Sequence, residues 1–227
     1  MRRILFIFTL VIIAGAALAA AEFWESKPFL QWSDREVEKV LTDSPWTALV
    51  AIPLPNRGPV PSADAGGGGR GGGGEGGGGR GGGEFGPAAQ RVRLTISWRS
   101  ALPLREAIAR QQAGTSGTIA PDAQARLERD DDLYWVAIQG LPPQYTRPGP
   151  NNSLKGFLRR GGKPAIGATQ GAAQMTRGGA LLLVGFPRTD PITLEDNDVE
   201  FDVKLGPLEI KKKFKLKDML FAGKLAL

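Results

Sequence analysis

The sequence predicts an α+β fold: an antiparallel β-sheet, sandwich-like or half-barrel-like, with two or three short helices and a C-terminal β-hairpin. Three observations predict it. Residues 91–98 and 196–217 alternate apolar and polar side chains with the period of two that marks half-buried strands. Helical spacing is confined to short stretches near 33–43, 102–112 and 121–130. Strand signals then alternate with turn-rich segments through the second half, the order of an antiparallel sheet.

The chain opens on Met1-Arg2-Arg3, an apolar run from Ile4 to Leu18, and Ala19-Ala20-Ala21. Positive residues, an apolar core and a small-residue end are the layout of a secretory signal peptide, so residues 1–21 are expected to direct export. Cleavage after Ala19 or Ala21 would start the mature chain near Glu22. The alternative is retention as an anchor, because 18 residues from Ile4 to Ala21 is the lower edge for a membrane span. Membrane contact is expected only in that case.

Residues 22–54 follow as a helix and a short strand expected to dock on the main domain. Ser33 stands three before Glu36, the spacing of a capping box, and Asp34 and Glu36 put negative charge in the first turn. Val37, Val40 and Leu41 form one apolar stripe, and Pro45 ends the helix near Thr42 or Asp43. Three turns are too short to be stable alone, so the stripe must be covered. Residues 47–54 read as a strand. The segment 55–89 is proline-rich and then glycine-rich; Gly66 to Gly83 holds 15 glycines broken only by Arg70, Glu75 and Arg80. Such a tract buries nothing and has high chain entropy, so it is expected to be a disordered insertion or linker.

The main domain is expected over 90–227. Val92, Leu94, Ile96 and Trp98 share one strand face, and Arg91, Arg93, Thr95 and Ser97 the other. Ser100 is expected to cap a helix over 102–112 with Leu104, Ala107, Ile108 and Gln111 on one side. Pro121 suits a first helical position, which starts a helix over 121–130. Residues 133–141, 154–158 and 180–186 read as strands, and 161–177 is too rich in Gly and Ala to assign. Trp98 and Trp135 are expected in the core, with Trp32 and Trp46 flanking the docked helix.

In 196–217, Val199, Phe201, Val203 and Leu205 alternate with Asp198, Glu200, Asp202 and Lys204. After Gly206-Pro207, Ile210, Phe214 and Leu216 alternate with Lys211, Lys213, Lys215 and Lys217. A two-residue loop would set Lys204 opposite Glu209, Asp202 opposite Lys211, Glu200 opposite Lys213, Asp198 opposite Lys215 and Asp196 opposite Lys217. A one-residue slip would put charges against the core. Lys212 breaks the alternation opposite Phe201. Pro207 strains the expectation, since a two-residue loop with positive φ in both places excludes proline.

The chain contains no Cys and no His. That excludes zinc sites built on them, nucleophiles activated by His, and haem held by either. No cofactor and no metal are expected. The acids from Asp196 to Asp202 lack the spacing of a calcium loop, because Phe201 stands at its sixth position. The lysine run faces acids, so no nucleic-acid partner is expected. Net charge is +6, or +4 without Arg2 and Arg3, which is weak evidence for an anionic partner. The remaining enzymatic candidate is a carboxylate-based, glycosidase-like hydrolase using Asp130, Asp131, Asp132, Asp190 and Glu195. No catalytic, cofactor-binding or metal residues are assigned beyond that candidate cluster.

Two segments carry a resemblance. Trp32-Ser33-x-x-Glu36 with Leu41-Thr42-x-Ser44-Pro45-Trp46, and Phe186-Pro187-x-Thr189-Asp190-Pro191-Ile192 with Lys213-Phe214-Lys215-Leu216-Lys217-Asp218-Met219, resemble a group of uncharacterised exported bacterial proteins. The resemblance implies export and one integrated domain, and no mechanism. The resulting expectation is an exported, periplasmic or extracellular protein, a non-enzymatic binding or scaffolding module whose partner is an unknown envelope component.

Overall fold

The computed structural model describes residues 22–54, 91–114, 117–129, 131–146, 154–176 and 179–227. The leader 1–21, the glycine tract and Asp130 lie outside the described residues. Among those described, no helix is long and apolar enough to cross a membrane.

The fold is α+β, with two antiparallel sheets facing each other as a sandwich. The first sheet contains β1 (Thr47–Pro53), β2 (Arg91–Trp98), β3 (Leu133–Leu141), β6 (Gln170–Thr176) and β7 (Gly179–Pro187), in the order β1-β2-β3-β7-β6. The second contains β4 (Leu154–Arg160), β5 (Ile166–Gly167), β8 (Asp198–Leu205) and β9 (Leu208–Lys215), in the order β5-β4-β8-β9. A two-stranded ribbon, β10 (Leu220–Phe221) and β11 (Lys224–Leu225), ends the chain. Of the segment that resisted assignment from sequence, Ile166–Gly167 is β5 and Gln170–Thr176 is β6.

Alternation decides which faces meet. Leu94, Ile96, Trp98, Val136, Ile138, Val184 and Phe186 all lie inward and fully buried on the first sheet. Leu158, Val199, Phe201, Val203 and Ile210 do the same on the second. The sheets lock through edge-to-face aromatic pairs, Trp98 with Phe214 at 5.8 Å and Phe186 with Phe201 at 6.1 Å between centroids. Gly156 lets them close: a Cβ there would stand 3.3 Å from Val184 and 3.1 Å from Ala168.

Four helices, α1 (Phe23–Ser26), α2 (Asp34–Thr42), α3 (Leu102–Ala113) and α4 (Pro121–Glu128), complete the described fold. The capping box on α2 is present in both directions: Glu36 N–H donates to Ser33 Oγ at 3.3 Å, and Ser33 N–H donates to Glu36 at 2.7 Å. Val37 and Val40 are buried, as the stripe required. Trp32 and Trp46 do flank this helix, within an aromatic ladder that includes Phe23, Trp24, Phe29 and Phe221. Trp46 Nε1 donates to the Ala226 carbonyl at 2.9 Å, tying the N-terminal segment to the end of the chain.

Three expectations need correction. Ser100 does not cap α3; Ala101 holds that position, and Ser100 Oγ instead accepts from the Trp135 N–H at 3.1 Å. Trp135 is half-buried on the helix-side face, lying over Gly185, where a Cβ would stand 3.0 Å from its ring. Asp196 does not face Lys217: β8 begins at Asp198, and Asp196 is buried in a 3₁₀ turn, Leu194–Asp196. The rest of the hairpin register is as the alternation dictates, from Asp198 opposite Lys215 to Leu205 opposite Leu208. It runs through Phe201 opposite Lys212 without a bulge. Gly206 has φ +57°, which a type II′ turn needs at its first position, and Pro207 with its locked φ suits the second.

Candidate functional site

The carboxylates proposed for hydrolysis are dispersed or neutralised. Asp132 and Glu195 are exposed on separate turns, and Asp131 is half-buried beside the start of β3. Asp190 is paired with the Arg160 guanidinium, whose side chain is fully buried. Asp196 also serves this cation: its Oδ2 stands 3.9 Å from Arg160, its Oδ1 stands 2.7 Å from Lys163 Nζ, and it accepts the Thr193 N–H at 2.9 Å. Arg160 further donates to the Pro164 carbonyl at 3.1 Å. Arg160 holds Asp190 below the usual carboxylate range. Burial pushes Asp196 up, but Lys163, the Thr193 N–H and Arg160 together pull it down. Both acids therefore stay ionised and act as struts for a buried cation. General acid–base work needs two carboxyls with separated proton affinities, and among the described residues the candidate acids form no such pair. Among the described residues, the one carboxyl pushed upward is Glu106 on α3, raised to about 7 by burial with Arg105 opposing. No group of three or more metal-ligating side chains occurs among the described residues.

Two of the molecule's clefts lie beneath α3. The helix crosses the outer face of the first sheet and leaves a cleft on each side. The first, about 460 Å³, is lined by Arg93, Thr95, Ser97 and Arg99 from β2 and the turn after it, Leu104, Ile108 and Gln111 from α3, and Gln139 and Gly140 from β3. The second, about 440 Å³, lies between α3 and α4 on one side and Leu181, Leu183 and Gln174 on the other, with Arg99, Arg105, Arg126, Arg129 and Asp131 around it. Such volumes accommodate small ligands or a few residues of a peptide.

Local sequence explains the lining. The polar half of β2's alternation places Arg93, Thr95 and Ser97 on the face away from the sandwich core. The apolar side of α3, Leu104 and Ile108, lands on that polar face and covers only part of it. A β-bulge at Gly140 bends β3 along the first cleft. Its φ is +90°, and a Cβ would stand 2.8 Å from the Arg93 carbonyl oxygen, so the wall requires glycine there.

Arg99 is common to both clefts. It is half-buried, its Nε is buried without a hydrogen-bond partner, and burial pushes its guanidinium pKa down. No carboxylate pairs with it among the described residues. Two of the other cleft arginines are engaged. Arg126 is paired with Asp122 one turn away. Arg105 donates to the Arg126 and Arg129 carbonyls at 3.1 and 2.6 Å, fastening α4 to α3. The first cleft thus contains two guanidinium groups and no acid, and the second has only Asp131 against its four. A planar guanidinium presents a fork of donors that matches a carboxylate or phosphate with two parallel hydrogen bonds. From sequence, Arg93 stood on the polar face of a strand and the other cleft arginines had no assigned role. The signal that could have found them is the amphipathic helix directly after that strand, which had to land on its polar side.

No family model, no curated protein and no solved structure matches this chain.

Proposed function

We propose that the protein is an exported, non-enzymatic binding module of the cell envelope, and that it holds an anionic group in the clefts beneath α3. The observation that carries the reading is Arg99: a half-buried guanidinium, unpaired among the described residues, in the wall shared by both clefts. A buried cation without a partner costs free energy that a bound anion returns. The absence of His and Cys supports binding over catalysis, as does the engagement of Asp190 and Asp196 with Arg160 and Lys163. The signal-like first 21 residues and the resemblance to exported bacterial proteins support the location.

The binding test is calorimetric titration with hexaglutamate, a uronic acid oligomer and inorganic phosphate. One of these carboxylate or phosphate probes is expected to bind, and Arg99→Ala is expected to weaken it about tenfold or more. Arg99→Lys retains charge without the fork and is expected to fall between. Equal affinity in all three proteins would sink the reading. Export has its own check: in fractionated cells the protein is expected outside the cytoplasm, and deletion of residues 2–21 is expected to leave it inside.

A further inference from the structure

We infer that β6 is an open strand-addition edge, and that its occupant is an extended acidic segment of another protein whose alternate side chains enter the arginine-walled cleft. The inference rests on the reading of the clefts as an anion site and assigns the ligand's class and pose.

The sheet edges are guarded unequally. β9 carries Lys211, Lys213 and Lys215 outward. β5 is two residues long and follows Pro164 closely. β1 ends in Pro53. β6, by contrast, is seven residues, Gln-Gly-Ala-Ala-Gln-Met-Thr, with no charge and no proline. All seven are exposed, and Met175 is 68 % exposed. It pairs with β7 on one side from Gln170 to Thr176, and among the described residues no strand lies on the other. An edge of this length presents a row of outward N–H and C=O groups, which natural sheets ordinarily block with lysine, proline, a bulge or brevity. None of these devices is present on β6.

The occupant follows from what lies beside the edge. Gln174 of β6 lines the second cleft and Thr176 lines the first, so this strand forms their common rim. Gln170 and Ala172 share that face by alternation. A strand added to β6 would send every second side chain to the same side, toward Arg99, Arg126 and Arg129. Main-chain hydrogen bonds would supply affinity, and the pockets for alternate side chains would supply selectivity. Acidic side chains fit that charge. A second copy of this chain fits it poorly, because pairing β6 with β6 would bring two arginine-rich rims together.

The test uses a capped seven-residue peptide alternating Glu and Val, and the same peptide with Lys for Glu. Two further versions carry N-methyl groups on alternate residues, one on each phase. A peptide paired to an edge uses the N–H groups of one phase only. The expected result is binding of the Glu peptide, none of the Lys peptide, and a loss of about tenfold or more for one methylated phase with the other unchanged. If both methylated peptides bind equally well while Arg99→Ala weakens them, the cleft is an anion site and strand addition is wrong. If the Glu peptide fails to bind while phosphate binds through Arg99, the occupant is wrong. If neither binds, both readings fall. Sedimentation of the protein alone as a dimer that Met175→Lys splits would assign the edge to a second copy and overturn the proposal.

Discussion

Glu36 and Glu106 are both partly buried glutamates on helices, and their surroundings drive them in opposite directions. Glu36 is lowered to about 2 by Lys27, whose Nζ stands 2.7 Å away, and by the Ser33 backbone and hydroxyl. Glu106 is raised to about 7 because burial penalises its charge and only Arg105 opposes. The second shift makes stability depend on pH. Below about 4.5, the ordinary value for glutamate, folded and unfolded chains both hold the proton and there is no penalty. Between 4.5 and about 7 the folded chain retains a proton that the unfolded chain has released, so stability falls as pH rises. Above that the full cost is present. Glu106→Gln is therefore expected to raise stability at pH 8 by on the order of 1–2 kcal/mol and to change little near pH 4. Thermal melts at the two pH values check this, and an equal gain at both would show that ionisation of Glu106 is not the cause.

At the scale of elements, the β8–β9 hairpin shows how charge selects register. Its register is the one the alternation dictates, yet the ion pairs are not all between direct partners. Asp198 reaches diagonally to Lys213 at 3.4 Å, Lys211 binds Glu209 along its own strand at 2.7 Å, and Asp202 turns to Arg159 of β4 at 2.8 Å. The reason is that β8 is an inner strand with basic residues on both sides: Glu200 lies opposite Lys213 and also opposite Arg159. Glu200→Lys is accordingly expected to cost about 0.5–1 kcal/mol. Lys213→Glu in the same chain is expected to restore part of the loss, since Arg159 still faces the new lysine. A denaturant double-mutant cycle measures the coupling, and zero coupling would contradict a direct interaction. β6, at the edge of the other sheet, was illegible for the opposite reason. Gly and Ala carry no alternation, so what makes it a strand is its pairing with β7.

For the whole molecule, β1 and β2 are direct antiparallel neighbours, with Pro53 opposite Arg91. The segment between them joins two adjacent strand ends, and the described parts on either side of it share one buried core. Deleting Gly66 to Gly83 shortens that connection by about half. Loop-closure entropy then predicts a gain of about 0.6 kcal/mol, or roughly 2 °C in melting temperature. A large fall would show that the tract contributes contacts to the fold.

What could be read from sequence were features whose physical cause is local. Alternation assigned the faces of β2, β8 and β9, because a pleated strand sends successive side chains to opposite sides. The spacing of Ser33 and Glu36 defined the start of α2, because a cap needs only three intervening residue steps. The absence of His and Cys removed whole classes of chemistry without reference to any fold. Tertiary structure alone decided where the charges went. Arg160 is on an inward position of β4, and only the return of the chain at Asp190 and Asp196 neutralises it. Arg99 lies at the end of a polar strand face, and only the landing of α3 and α4 over that face turns it into the wall of two clefts. Both outcomes depend on contacts between residues far apart in the chain, which local periodicity does not encode.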